Sequence, residues 1–202
     1  MEYTEQAILE IARRAYTEGV ARFEIVPEKS ALLVIDMQDE FVKPGWTPFW
    51  IPEATRQVPR IRQVIEHCRA HNIPVIYTVF SRTHAYLDRP MSGPVMPNRY
   101  TELDADQPES FVEGCVWHEL APLPNEIVIP KPGKGAFYNT PLGTILPDRG
   151  ITHLLITGVT TEVCVQTTMR EANDRGYECL MVADCTESYF PQFKQATLEM
   201  VR

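Results

Sequence analysis

The sequence predicts an α/β fold, an open parallel sheet with helices on both faces, as a single domain over 1–202. Two observations carry this reading. Five apolar runs rich in β-branched residues recur along the chain, and the stretches between them space their apolar residues as helices do. The runs are near-continuous rather than alternating, as in strands covered on both faces. Strand, helix and strand in repetition imply parallel pairing.

The opening "MEYTEQAILEIARRAYTEG" sets Ile8, Ile11, Ala12 and Ala15 on one helical face. Residues 1–25 are therefore expected to form a peripheral amphipathic helix suited to subunit packing. "SALLVID" (30–36) is the first strand. A helix is predicted over 54–71 from the stripe Val58, Ile61, Ile65 and Cys68, with Pro59 obscuring its start. "IPVIYTVF" (73–80) is the second strand. The segment 81–124 is proline-dotted and carries aromatic residues, and an irregular stretch of that length is functional or disordered. "NEIVIP" (125–130) is the third strand, 140–149 a helix, and "THLLITG" (152–158) the fourth strand. A helix over 161–175 stops at Gly176 and leads into "YECLMVAD" (177–184), the fifth strand. "PQFKQATLEMVR" reads as a last helix from Pro191.

Composition narrows the function. A chain of 202 residues can bury a sizeable core. A net charge of −8 argues against nucleic acid, whose binding requires Lys and Arg to neutralise phosphates. No apolar run approaches a membrane span, and the N-terminus lacks the basic start and apolar centre of a signal peptide. A cytoplasmic protein without a membrane partner is expected. The cysteines at 68, 115, 164, 179 and 185 are odd in number, scattered and free of C-x-x-C pairs. Neither a disulfide framework nor a zinc cluster is implied, and free thiols are expected.

In an open α/β sheet, ligands bind beyond the carboxyl ends of the strands, where strand order reverses. The first strand ends at Asp36, the third at Lys131, and the turn after the fourth delivers Cys164 to the start of a helix. Singly, each has an ordinary explanation: a capping aspartate, a solvated lysine, a packed cysteine. Three complementary groups at three strand ends are better explained as a site. A cysteine near a helix N-terminus and beside an ammonium is expected to have its thiolate favoured. A carboxylate in reach takes the thiol proton and returns it to a leaving amine. Backbone N–H groups of "GVTTEVC", notably those of Thr160 and Cys164, are placed to hold an oxyanion. The chemistry is attack on an amide carbonyl.

The chain resembles the isochorismatase-like cysteine hydrolases, which include nicotinamidases, N-carbamoylsarcosine amidases, ureidoacrylate amidohydrolases and biuret hydrolases. The resemblance runs from about residue 28 onward and rests on "ALLVIDMQDEF", "KPGKGAFYNTPL" and "LLITGVTTEVCVQTTMREANDRGYECLMVADC". It implies Asp36 as general base and acid, Lys131 as electrostatic partner and Cys164 as nucleophile. It implies a cis peptide between Val159 and Thr160 in the oxyanion loop. Lys131, six residues before Phe137, matches the family's lysine better than Lys134. "KPGKG" and "TTMREANDRGYECL" are most similar to biuret hydrolase and its relatives, which implies a biuret-like or carbamoyl substrate. Gln38 and Phe41 match positions lining that pocket, with a core aromatic an equal reading for Phe41. Arg82 is read as an ion-pair partner before a carboxylate binder. Nicotinamidases carry D-x-H after the second strand, whereas "VFSRTHAYLDRP" holds His84 and Asp88 without that triplet. No metal and no cofactor are therefore expected. The alternatives are isochorismatase-type ether hydrolysis, which needs no cysteine nucleophile, a nicotinamidase-like amidase, and an idle binding scaffold. Family members continue past the position of Met200 with a glycine-rich loop and a sixth strand, and this sequence ends at Arg202. A homo-oligomer, dimer or tetramer, is the implied assembly.

Overall fold

A computed structural model describes residues 3–18, 24–81 and 115–201. Five strands form one sheet: β1 (Ser30–Ile35), β2 (Val75–Phe80), β3 (Ile127–Lys131), β4 (His153–Val159) and β5 (Glu178–Glu187). All are parallel, in the order β3-β2-β1-β4-β5. The chain winds outward from β1 to β3, then crosses back to β4, so the order reverses between β1 and β4. The predicted parallel sheet is that of an open α/β fold.

Expected continuous burial holds for the centre of the sheet and fails at its margins. β1 is buried throughout, whereas in β3 Val128 and Pro130 are exposed, and β5 is only partly covered. The reason is topological: among the described residues β3 and β5 are edges, with a strand on one side only. β5 also runs to Glu187, three residues past its predicted end, through a register shift between Ile156 and Gly158 of β4.

Side chains alternate across the sheet and divide the core in two. On one face Leu32, Val34, Tyr77 and Leu155 pack against α3 (Pro52–Ala70). This helix starts at Pro52, a favoured first helical position, and passes through Pro59 rather than starting after it. Pro59 is exposed, while Ala54, Val58, Ile61, Ile65 and Cys68 hold the opposite side of the helix to the sheet. On the other face Leu33, Ile35 and Ile156 pack against α4 (Leu142–Asp148) and α5 (Gln166–Asp174), with Leu198 of α6 (Pro191–Met200) beside them. A short helix, α2 (Asp39–Val42), follows β1. The N-terminal helix α1 (Glu5–Glu18) is formed as predicted, and none of its residues is buried. Among the described residues, no helix is long and apolar enough to cross a membrane.

Candidate active site

β1 and β4 lie side by side in register to Ile35 and Gly158, and their carboxyl ends open the crevice. Gly158 permits this approach. Its φ is +114°, and a Cβ there would stand 2.0 Å from the Ile35 carbonyl oxygen. Asp36 turns out of β1 in the left-handed region, φ 54°, a conformation aspartate tolerates better than most residues. Its N–H still bonds to the Thr78 carbonyl at 3.0 Å, so the turn is anchored to β2.

Lys131 leaves the end of β3, with β2 lying between β3 and β1. Only a long side chain reaches across, and the Lys131 stem is wholly buried on the way. Its Nζ meets Asp36 Oδ2 at 2.8 Å, the Gly133 carbonyl oxygen at 2.9 Å and Cys164 Sγ at 3.4 Å. The three acceptors match the three protons of an ammonium. The Phe80 ring lies 5.1 Å from the same nitrogen. Thr78 donates its hydroxyl to Asp36 Oδ1 at 3.0 Å. The three residues singled out in the sequence thus meet at one point.

Cys164 is half-buried and does not sit on an α-helix. The predicted helix over 161–175 opens with a π-helical turn, Thr161–Val165, before α5 begins. The peptide between Val159 and Thr160 is cis, as the resemblance implied. The nucleophile turn is tied to the lysine loop through Thr168, which donates to the Cys164 carbonyl at 2.7 Å and accepts the Ala136 N–H at 3.0 Å. Glu171 accepts the Phe137 N–H at 3.3 Å, and Gly135 leaves room for it. Thr78 and Thr168 carry no motif; Thr78 is a lone hydroxyl inside the apolar strand β2, the signal the sequence offered, whereas Thr168 lies in a polar helix and gave none.

The electrostatics correct one expectation. Burial pushes the Cys164 thiol up to about 12, with Lys131 pulling it down and Asp36 pushing it further up. One ammonium faces two acidic groups, and the carboxylate, intrinsically much the stronger acid, takes the negative charge. The resting thiol is therefore neutral rather than a standing thiolate. Burial raises the Asp36 carboxyl as well, against the pull of Lys131. Burial alone would lower Lys131, but the Asp36 carboxylate opposes it, and the ammonium is held charged.

Gln38 is engaged within the protein, and Phe41 takes the core position that was one of its two readings. The Gln38 amide donates to Glu40 Oε2 at 2.8 Å and to the Phe80 carbonyl at 2.9 Å, and accepts the Phe80 N–H at 2.6 Å. Both its protons are spent inside the protein, so it is a strut joining the Asp36 turn to the end of β2. Phe41 packs half-buried against the α3 core. Glu40, which sequence reasoning passed over, is fully buried; burial drives its pKa to about 7, opposed by the bond from Gln38. Lys134 is exposed and outside the cluster. Arg82, His84 and Asp88 lie outside the described residues. Among the described residues no group of three His, Cys, Asp or Glu side chains is arranged to hold a metal ion.

The model of the isochorismatase domain family matches residues 30–202. Among solved structures, N-carbamoylsarcosine amidase from Thermoplasma acidophilum is similar at 28% identity and TM-score 0.69, over 86% of this chain and 92% of that one. An isochorismatase family protein from Desulfovibrio vulgaris aligns at 26% identity and TM-score 0.75, over 86% and 90%. A cysteine hydrolase from Pseudomonas syringae shares the fold at 23% identity and TM-score 0.78, over 90% and 88%.

Proposed function

Because the chain belongs to the isochorismatase family, we propose that it is a cysteine-dependent amidohydrolase of small linear amides. A biuret-like or other carbamoyl substrate is the best assignment. The observation that carries this reading is the buried contact of Lys131 Nζ with both Asp36 and Cys164. An ether hydrolase of the same fold has no use for a thiol held there. The similarity to an N-carbamoylsarcosine amidase supports the carbamoyl class.

The neutral thiol sets the order of events. Cys164 Sγ attacks the amide carbon as its proton passes to the Asp36 carboxylate. The carbonyl oxygen gains the negative charge, and the N–H groups of Thr160 and Cys164 are assigned to receive it. Collapse breaks the C–N bond, and Asp36 gives its proton to the departing nitrogen, releasing ammonia or an amine. Water then attacks the thiol-linked acyl or carbamoyl group, losing a proton to Asp36. Expulsion of the sulfur, which regains that proton, frees the acid product and restores the thiol. Lys131 keeps the carboxylate ionised between steps and holds thiol and carboxylate in contact. Gln38 acts by fixing the Asp36 turn.

An ammonia-release screen over biuret, carbamoyl amino acids, ureidoacrylate-like amides and nicotinamide tests the substrate class. Cys164→Ser should abolish release with an unchanged thermal melt. Release that survives this substitution would show the mechanism to be wrong.

A further inference from the structure

Among the described residues, one face of the sheet is only half covered. Strands stand about 4.8 Å apart, so five span roughly twice the ~10 Å width of a helix. The face bearing α4, α5 and α6 is spanned by all three. The opposite face carries α3, and beside it the residues Val116, Trp117 and Leu120. Between α3 and β5 remains a groove of about 530 Å³. Its floor includes Ile73, Leu155, Leu180 and Val182, and Leu180 and Val182 stay half-exposed. Buried parallel sheets do not leave such a face to water.

The same chain has an uncovered helix. In α1, Ile8, Leu9, Ile11, Ala12, Ala15 and Tyr16 fall within less than half the circumference, and Arg13, Gln6, Thr17, Glu10 and Arg14 fill the rest. The apolar arc is bare, with Ile8 48%, Leu9 52%, Ile11 56% and Tyr16 56% exposed. A 14-residue helix is marginal in water unless packed on something. Among the described residues of one chain, no α1 side chain lines the groove.

We propose that the groove between α3 and β5 seats the α1 helix of a second copy of the chain, in a reciprocal exchange. Three features favour this occupant. The groove floor of Ile73, Leu155, Leu180 and Val182 matches the apolar arc of α1, while on the rim Arg60 is already paired with Glu187 at 3.4 Å and Asp184 stands beside it. Ile25 and Pro27, which lead from α1 to β1, line the groove, so each helix leaves its own chain at the edge of the site the other must enter. A 14-residue helix covers a footprint of about 21 by 10 Å. One docking event buries on the order of 400 Å² over both partners, and only the reciprocal pair approaches the ~1,000 Å² of a specific interface.

The test uses the full chain. Light scattering after size exclusion should find an assembly of at least two chains at micromolar concentration. Ile8→Glu with Ile11→Glu, both exposed in the single chain, should weaken it at least ~100-fold without changing the melt of the folded core. Benzoylphenylalanine at position 11, in mixed populations of isotopically light and heavy chains, should cross-link between chains, with products mapping to α3 or β5. A monomeric parent, a cross-link within one chain, or an interchain product mapping elsewhere would each overturn the proposal.

Discussion

Replacing Lys131 by methionine removes an ammonium that is wholly buried and 2.8 Å from Asp36. Methionine fills similar volume, so the loss is electrostatic rather than a cavity. Removing one partner of a buried pair costs about 3–5 kcal/mol, because the other charge is left without compensation. In a domain of this size that lowers Tm by roughly 6–20 °C. Burial already raises the Asp36 carboxyl, and without Lys131 nothing comparable opposes it. A carboxyl raised above its unfolded value contributes stability at low pH and loses it as pH rises through the folded pKa. The deficit of Lys131→Met should therefore be small at pH 4 and grow toward pH 8. Urea denaturation at both pH values measures it. In the double variant with Asp36→Asn, the loss should fall short of the sum of the singles by at least about 2 kcal/mol. A deficit independent of pH, or two losses that simply add, would refute the buried ion pair.

Three further outcomes follow from the same geometry. With the parent thiol pushed up to about 12, iodoacetamide at neutral pH should label exposed Cys115 before Cys164. Asp36→Asn removes the charge that raises the thiol, so alkylation of Cys164 should accelerate while ammonia release is lost; slower labelling would contradict the shared-charge reading. Glu40, ordinarily near 4.5 and here about 7, contributes stability below its unfolded pKa that is lost as pH rises through 7. Glu40→Gln should then be more stable than the parent at pH 8, by up to about 3 kcal/mol, with the gain vanishing near pH 5 in urea melts. Gly158→Ala should cost several times more than Gly150→Ala, about 1 kcal/mol. Both have positive φ, but a Cβ meets the Ile35 backbone at the first and nothing within 4 Å at the second. Equal thermal shifts would place the close approach of β1 and β4 in doubt.

What the sequence determined by itself is the alternation of strands and helices, and from it the set of residues at the strand ends. Those are local properties: short, β-branched apolar runs such as "ALLVI" read as covered strand, and Asp36, Lys131 and the turn before Cys164 follow directly upon such runs. Tertiary structure alone decided the rest. Which strands become edges depends on order, and so the exposure of Val128 and Pro130 was not legible. The family resemblance alone assigns Gln38 to the pocket, and nothing local reveals that Phe80, 42 positions on, both accepts from its amide and donates to it. The protonation of Cys164 likewise escaped sequence reasoning. A helix N-terminus and a lysine point to a thiolate, but the sign is set by burial and by a competing carboxylate. Both exist only once strands β1, β3 and β4 have brought three distant residues within a few ångströms, where a single positive charge cannot sustain two negative ones.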